Sequence, residues 1–156
     1  MDEVKITKKD LKIIEESTEK LFALLEIKGT FEISQNEEIL DLVMDTEDSG
    51  MVIGYHGEGL ESLQLIISLM IAKKIGKFIR VSIEVDSYKK NRTEYLERLA
   101  QQVKERAIEE NREQVIESLK SWERRVVHLI LQDDDLVVSE SSGDGRDRVL
   151  VIKPKA

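Results

Sequence analysis

The residues whose types and spacing could do chemistry fall in two stretches. The first is Ile53-Gly54-Tyr55-His56-Gly57, inside the glycine-dense run from Gly50 to Leu60. Gly54 and Gly57 permit backbone conformations that a Cβ would forbid, and they let a ligand's own backbone come close. An apolar, helix-spaced run starts at Leu60. A helix there turns its free N–H groups and positive dipole end toward the loop, where a phosphate is favoured. The chemistry on offer is a backbone clamp for a single-stranded nucleic acid, although a tight turn between helices has the same sequence. His56 could stack on a base or touch a phosphate, more strongly once protonated at mildly acid pH, or it could be a solvated loop histidine.

The second stretch is Trp122-Glu123-Arg124-Arg125-Val126-Val127-His128. Arg124 and His128 stand four apart and therefore share one face of a helix, with Arg125 flanking at three from His128. A guanidinium can grip a phosphate while a nearby imidazole hydrogen-bonds or stacks. By spacing alone a surface Arg and His on an amphipathic helix is the favoured reading. Trp122 reads as a core or rim packing residue, with a stacking surface as the alternative. Asp133-Asp134-Asp135 reads as a helix-terminating turn, with a cation site as the alternative.

Positioning these residues requires a packed frame. The chain has 156 residues, 40% of them hydrophobic but only 4% aromatic, so the core must be aliphatic. A charged fraction of 36% with one proline indicates a helix-rich folded protein rather than a disordered one. The absence of cysteine excludes disulfides and thiolate zinc sites. No apolar run reaches the about 18 residues of a membrane span and the N-terminus is charged, so a cytoplasmic protein without span or signal peptide is expected. The net charge of −8 argues at first against a nucleic-acid partner. Its distribution softens that objection: residues 1–58 hold 15 acids and 6 bases, residues 59–156 hold 17 and 18. Phosphate binding needs a local basic patch rather than a basic whole.

Thr7-Lys8-Lys9-Asp10 resembles a capping box, and Leu11, Ile14, Thr18, Leu21 and Leu25 then recur at helical spacing. Gly29 is the expected stop, with the helix ending near Lys28. Residues 30–34 and 39–45 read as strands around a polar turn at Asn36-Glu37-Glu38. Leu60 to Ile75 is a helix with Leu60, Leu63, Ile66, Ile67, Met70 and Ile71 on one broad face, and residues 79–85 alternate as a half-buried strand. A second long helix spans Tyr88 to Glu110, followed by a short strand near Val115 to Leu119. Ser121 is the expected N-cap of a helix running to Leu131, and strands over residues 136–140 and 148–152 form a hairpin. Two α+β domains are expected, over residues 1–86 and 87–156.

The run from Asp48 to Gln64 resembles the glycine loop of bacterial KH domains, and the helix-first order resembles the type II form of that fold (α-β-β-α-α-β, three-stranded sheet). The resemblance implies binding of single-stranded RNA at this loop, with Gly54 to Gly57 as the clamp. Many such loops carry Lys or Arg between the glycines; here the pair is Tyr55-His56, and Glu58 and Glu61 next door repel phosphate. Residues 123–128, with Ser141-Ser142-Gly143 and 148–154, resemble the small α+β single-stranded nucleic-acid-binding domain named for an Arg and a His with three residues between them (R-three-H). Its signature pair maps onto Arg124 and His128, and Arg148 corresponds to an arginine typical of its last strand. A KH domain followed by this domain is the arrangement of the bacterial Jag family, also called KhpB, and the resemblance covers roughly residues 30–155. Jag proteins commonly carry a further small N-terminal domain, which this sequence is expected to lack. The proline-bearing segment usual before the Glu-Arg-Arg is also absent from Leu119-Lys120-Ser121-Trp122.

The expectation is therefore a non-catalytic protein that binds single-stranded RNA or single-stranded DNA, with no cofactor and no metal. The resemblance further implies an RNA chaperone or post-transcriptional regulator, a complex with a separate small KH-domain protein, and a link to cell elongation or envelope homeostasis. The site residues are Ile53, Gly54, Tyr55, His56, Gly57, Arg124, Arg125, His128 and Arg148. Lys73, Lys74, Lys77, Arg80, Lys89, Lys90, Arg92, Arg146 and Lys153 could extend the basic path. The competing reading is a protein–protein adaptor on a KH-like fold, favoured by the acidic first 58 residues. A hydrolase is disfavoured because the two histidines fall in different domains and no G-x-x-x-x-G-K-[ST] loop is present.

Overall fold

Thr7 opens the first helix as the sequence predicts. Its hydroxyl accepts the Asp10 N–H at 3.1 Å, and the Asp10 carboxylate accepts the Thr7 N–H at 3.0 Å. A computed structural model describes residues 6–36 and 38–155, and the chain divides into two compact units between Tyr88 and Lys89. In the first unit, helix α1 (Lys8–Leu24) buries Ile14, Thr18 and Phe22. It ends four residues before the expected Lys28 because Glu26, at φ 56°, takes the left-handed position. The Glu26 N–H reaches the Ala23 carbonyl and the Ile27 N–H reaches the Phe22 carbonyl, which closes the last turn without a glycine. Leu25 therefore lies beyond the helix. Gly29 instead starts strand β1 (Gly29–Asn36), where a Cβ would stand 2.1 Å from the Asp45 carbonyl oxygen.

Strand β1 pairs antiparallel with β2 (Ile39–Thr46), and β2 pairs parallel with β3 (Arg80–Val85), so β2 is central. The connecting turn includes Glu37, which lies outside the described residues. Between β2 and β3 the chain forms a short helix α2 (Ser49–Ile53), a tight turn Tyr55–Gly57 and the long helix α3 (Glu58–Ile75). This is the type II KH order, with the glycine loop joining two helices. The core is aliphatic, as required: Leu40, Leu42 and Met44 of β2 and Val81, Ile83 and Val85 of β3 pack with Ile14, Leu63, Ile67 and Ile71.

Helix α3 departs from its expected face. Ser68 is buried, and its hydroxyl accepts the Val81 N–H at 3.2 Å, while Gln64 Oε1 accepts the Ile83 N–H at 2.9 Å. Two polar side chains thus serve the outer edge of β3, where unserved backbone donors would be costly. Ile66, expected inside, is exposed together with Leu65 and Leu69.

The second unit begins in helix α4 (Tyr88–Glu110), with Leu96, Ala100 and Ala107 buried. Asp86 and Ser87, both left-handed, turn the chain into it. Strand β4 (Gln114–Ile116), helix α5 (Ser121–Leu131) and strands β5 (Val137–Ser142) and β6 (Val149–Pro154) follow. Their sheet runs β4-β6-β5, antiparallel throughout. Ser121 is not the N-cap: Lys120 holds that position, and its N–H donates to Glu123 Oε2 at 2.9 Å. Glu123 is fully buried, and its other oxygen accepts Arg92 Nε at 2.6 Å, which braces α5 against α4.

Candidate nucleic-acid interface

In the first unit the loop is shaped by three left-handed residues, Gly54 at φ 66°, His56 at φ 49° and Gly57 at φ 79°. Gly54 and Gly59 let α2 and α3 meet without side chains: a Cβ on Gly59 would lie 2.5 Å from the Val52 carbonyl oxygen, and one on Gly54 would lie 2.8 Å from the Gly59 N. Ile53 is half-buried against the core. Tyr55 is 70% exposed, and its ring stacks on His56, with centroids 4.1 Å apart and planes 12° from parallel. The variable pair of the loop is thus a small aromatic platform. Glu58 and Glu61 in the first turn of α3 suit the helix dipole and oppose an anion.

In the second unit, Arg124, Arg125, His128 and Arg148 all line one open cleft of about 600 Å³ between α5 and the β5–β6 hairpin. The i, i+4 spacing put Arg124 and His128 on one face of α5, and burial of Val127 and Leu131 on the other turns that face outward. Arg124 is held in place: Nη1 donates to the Leu119 carbonyl at 2.5 Å, and Nη2 donates to Ser121 Oγ at 3.1 Å. Its Nη1 also lies 3.5 Å from the Arg148 carbonyl. His128 Nδ1 shares a 2.7 Å hydrogen bond with Ser139 Oγ, so Nε2 is the ring nitrogen available to a ligand. Arg148 Nε donates to Ser141 Oγ at 2.7 Å. Arg125 is exposed at the rim, and Trp122 is 37% exposed, which makes it a rim residue rather than core.

The sequence alone does not assign Ser121, Ser139 or Ser141 to the site, although Ser121 is expected as an N-cap and Ser141 lies in the run that carries the resemblance. Ser139 and Ser141 alternate along β5, and that period-two spacing was the available signal. Part of the expected basic path is committed elsewhere. Arg92 is paired with the buried Glu123, Lys77 lies 3.8 Å from Asp10, and Lys153 lies 2.7 Å from Glu140, a contact that raises the lysine's pKa. Asp134 is also accounted for: its carboxylate accepts the Leu136 and Val137 N–H groups and pairs with Lys104.

Both halves of this arrangement match known domains in the order found here. The profile of the KH domain of KhpA/KhpB matches residues 12–85, and that of the R-three-H domain matches residues 94–154. The chain belongs to the Jag/KhpB family. Among its KhpB relatives, each named RNA-binding protein KhpB, that of Clostridium symbiosum is 32% identical over 124 residues, covering 80% of this chain and 56% of the relative. That of Streptococcus pneumoniae is 31% identical over 128 residues, covering 82% and 39%, and that of Bacillus subtilis is 23% identical over 130 residues, covering 82% and 62%. The chain thus spans about two fifths to three fifths of the length of these KhpB proteins. No helix among the described residues is long and apolar enough to cross a membrane.

Proposed function

We propose that this protein binds single-stranded RNA without catalysis. The observation that carries the reading is the convergence of Arg124, Arg125, His128 and Arg148 on one open cleft, with Ser139 and Ser141 orienting two of them. Three guanidinium groups supply charge and forked donors for phosphates, and an imidazole beside them can hydrogen-bond or stack. The glycine loop is the second contact: two glycines admit a sugar-phosphate backbone, and the Tyr55–His56 stack offers a ring face in place of the usual cation. Affinity on this reading is distributed over both sites and stays modest, because the chain is acidic overall.

The names of the KhpB relatives support RNA as the ligand. An RNA chaperone or post-transcriptional regulator acting in the cytoplasm fits such distributed, modest binding. A link to cell elongation or envelope homeostasis rests on the family alone. For a separate small KH-domain protein as partner, the available surface is the exposed stripe Leu65, Ile66 and Leu69 on α3.

The test is binding of a single-stranded RNA across a salt series. Phosphate contacts make the logarithm of affinity fall linearly with that of salt, at about 0.7 per contact for single strands. Absence of binding at low salt would overturn the proposal in favour of the adaptor reading, which the acidic first 58 residues support.

A further inference from the structure

The two edges of the first unit's sheet are treated differently. The β3 edge is served by Gln64 and Ser68. The β1 edge is not: among the described residues no strand pairs with its outer side. An unprotected edge carries a row of backbone donors and acceptors that can template another strand, and natural sheets guard such edges with proline, lysine or a bulge. Strand β1 (GTFEISQN) has neither residue, and its eight-residue register with β2 is unbroken.

Beside this edge runs an open groove of about 720 Å³ between α1 and β1. Phe22 and Phe31 meet there edge to face, with ring centroids 5.2 Å apart, and Ile33 continues the apolar side. Glu15, Glu19 and Glu32 supply its charge. The groove therefore offers three things at once: a strand edge that no other described strand pairs, an apolar floor, and carboxylates alone as charged lining groups.

We infer that this edge receives an extended, lysine- or arginine-bearing segment of a partner protein by strand addition. Backbone hydrogen bonds to β1 give register, side chains turned to the α1 side meet the Phe22–Phe31 floor with Glu15 and Glu19 at its rim, and those turned to the opposite face meet Glu32. A nucleic acid is disfavoured by the three carboxylates. A second copy of this chain is disfavoured because a self-complementary contact would bring the same carboxylates against each other. The surface is independent of the RNA reading, since none of its residues belongs to the loop or the cleft.

The test uses the full chain, isotopically labelled, with an eight-residue peptide alternating lysine and valine. The expected result is a shift of the Phe31 and Ile33 amide signals with slowed hydrogen exchange there, and weakening as salt rises. A glutamate–valine peptide should not bind. A lysine–valine peptide interrupted by a central proline should bind about tenfold more weakly, because proline removes a ladder donor. The triple variant Glu15→Lys, Glu19→Lys, Glu32→Lys should lose the peptide while keeping its circular dichroism. No binding at millimolar peptide, equal binding of the proline peptide, unchanged binding by the triple variant, or shifts confined to residues outside β1 and α1 would each overturn the inference. Self-association through β1, seen by sedimentation, would assign the edge to a second copy and overturn it as well.

Discussion

Gly57 rests on the ring of Tyr88: a Cβ at Gly57 would stand 3.0 Å from Tyr88 Cε1 and 3.1 Å from its hydroxyl oxygen. The glycine is also at φ 79°, where side chains are disfavoured. Gly57→Ala therefore meets both a steric and a conformational penalty, about 1 kcal/mol or more. A lowered melting temperature together with weaker RNA binding is expected, measured by thermal unfolding and anisotropy. Tyr88→Ala in the same background should recover stability if the ring contact is the larger part.

Replacing Tyr55 and His56 with aspartates puts two carboxylates where a backbone phosphate would lie. RNA affinity should fall by about tenfold or more, with circular dichroism unchanged because Tyr55 is exposed. Parental affinity in this variant would remove the loop from the interface.

Arg124→Ala with His128→Ala should weaken binding separately from the loop variant. Loss of the Arg124 phosphate contact should lower the slope of log affinity against log salt by about 0.7. Ser139→Ala is a milder test, since it removes the hydroxyl hydrogen-bonded to His128 Nδ1 and leaves the charges in place.

The buried Arg92–Glu123 pair predicts stability rather than binding. Arg92→Met leaves the Glu123 carboxylate buried with the Lys120 N–H as its remaining described partner. The expected loss is about 3 kcal/mol, read as a lower midpoint in urea. Changing both residues together, Arg92→Met with Glu123→Leu, should recover much of it.

Asp134 predicts a pH effect. Its hydrogen bond with Lys104 is the largest influence holding its carboxyl below the ordinary carboxylate range, with the Leu136 N–H adding to it. A folded-state pKa below the unfolded one contributes stability above about pH 4 that is lost as pH falls through the folded value. Asp134→Asn should therefore flatten the acid side of the stability profile, measured by urea unfolding between pH 6 and pH 2.

Much of the molecule is legible in its sequence because the signals are local. The Thr7 capping box, the Tyr88–Glu110 helix, the alternation through β3 and the shared face of Arg124 and His128 all depend on residues within one or two turns of each other. The order helix, strand, strand, glycine loop, helix, strand follows from the same periodicities, whereas the short helix α2 before the loop is expected only from the resemblance to the type II KH fold. Local reasoning failed at α1, where Glu26 adopted a left-handed turn that Gly29 was expected to supply.

Only the tertiary structure decided what meets across the chain. Ser68 sits inside α3's packed face, while Leu65, Ile66 and Leu69 face out, because β3 needs partners for its Val81 and Ile83 N–H groups. Ser139 and Ser141 join the cleft because β5 pairs with β6 in one register and presents them to His128 and Arg148. Arg92 is withdrawn from the basic surface by a glutamate 31 positions away. Side-chain types and their spacing determined the two candidate sites; long-range pairing determined which charges remain available to a ligand, because a cation already held by a buried carboxylate cannot also neutralise a phosphate.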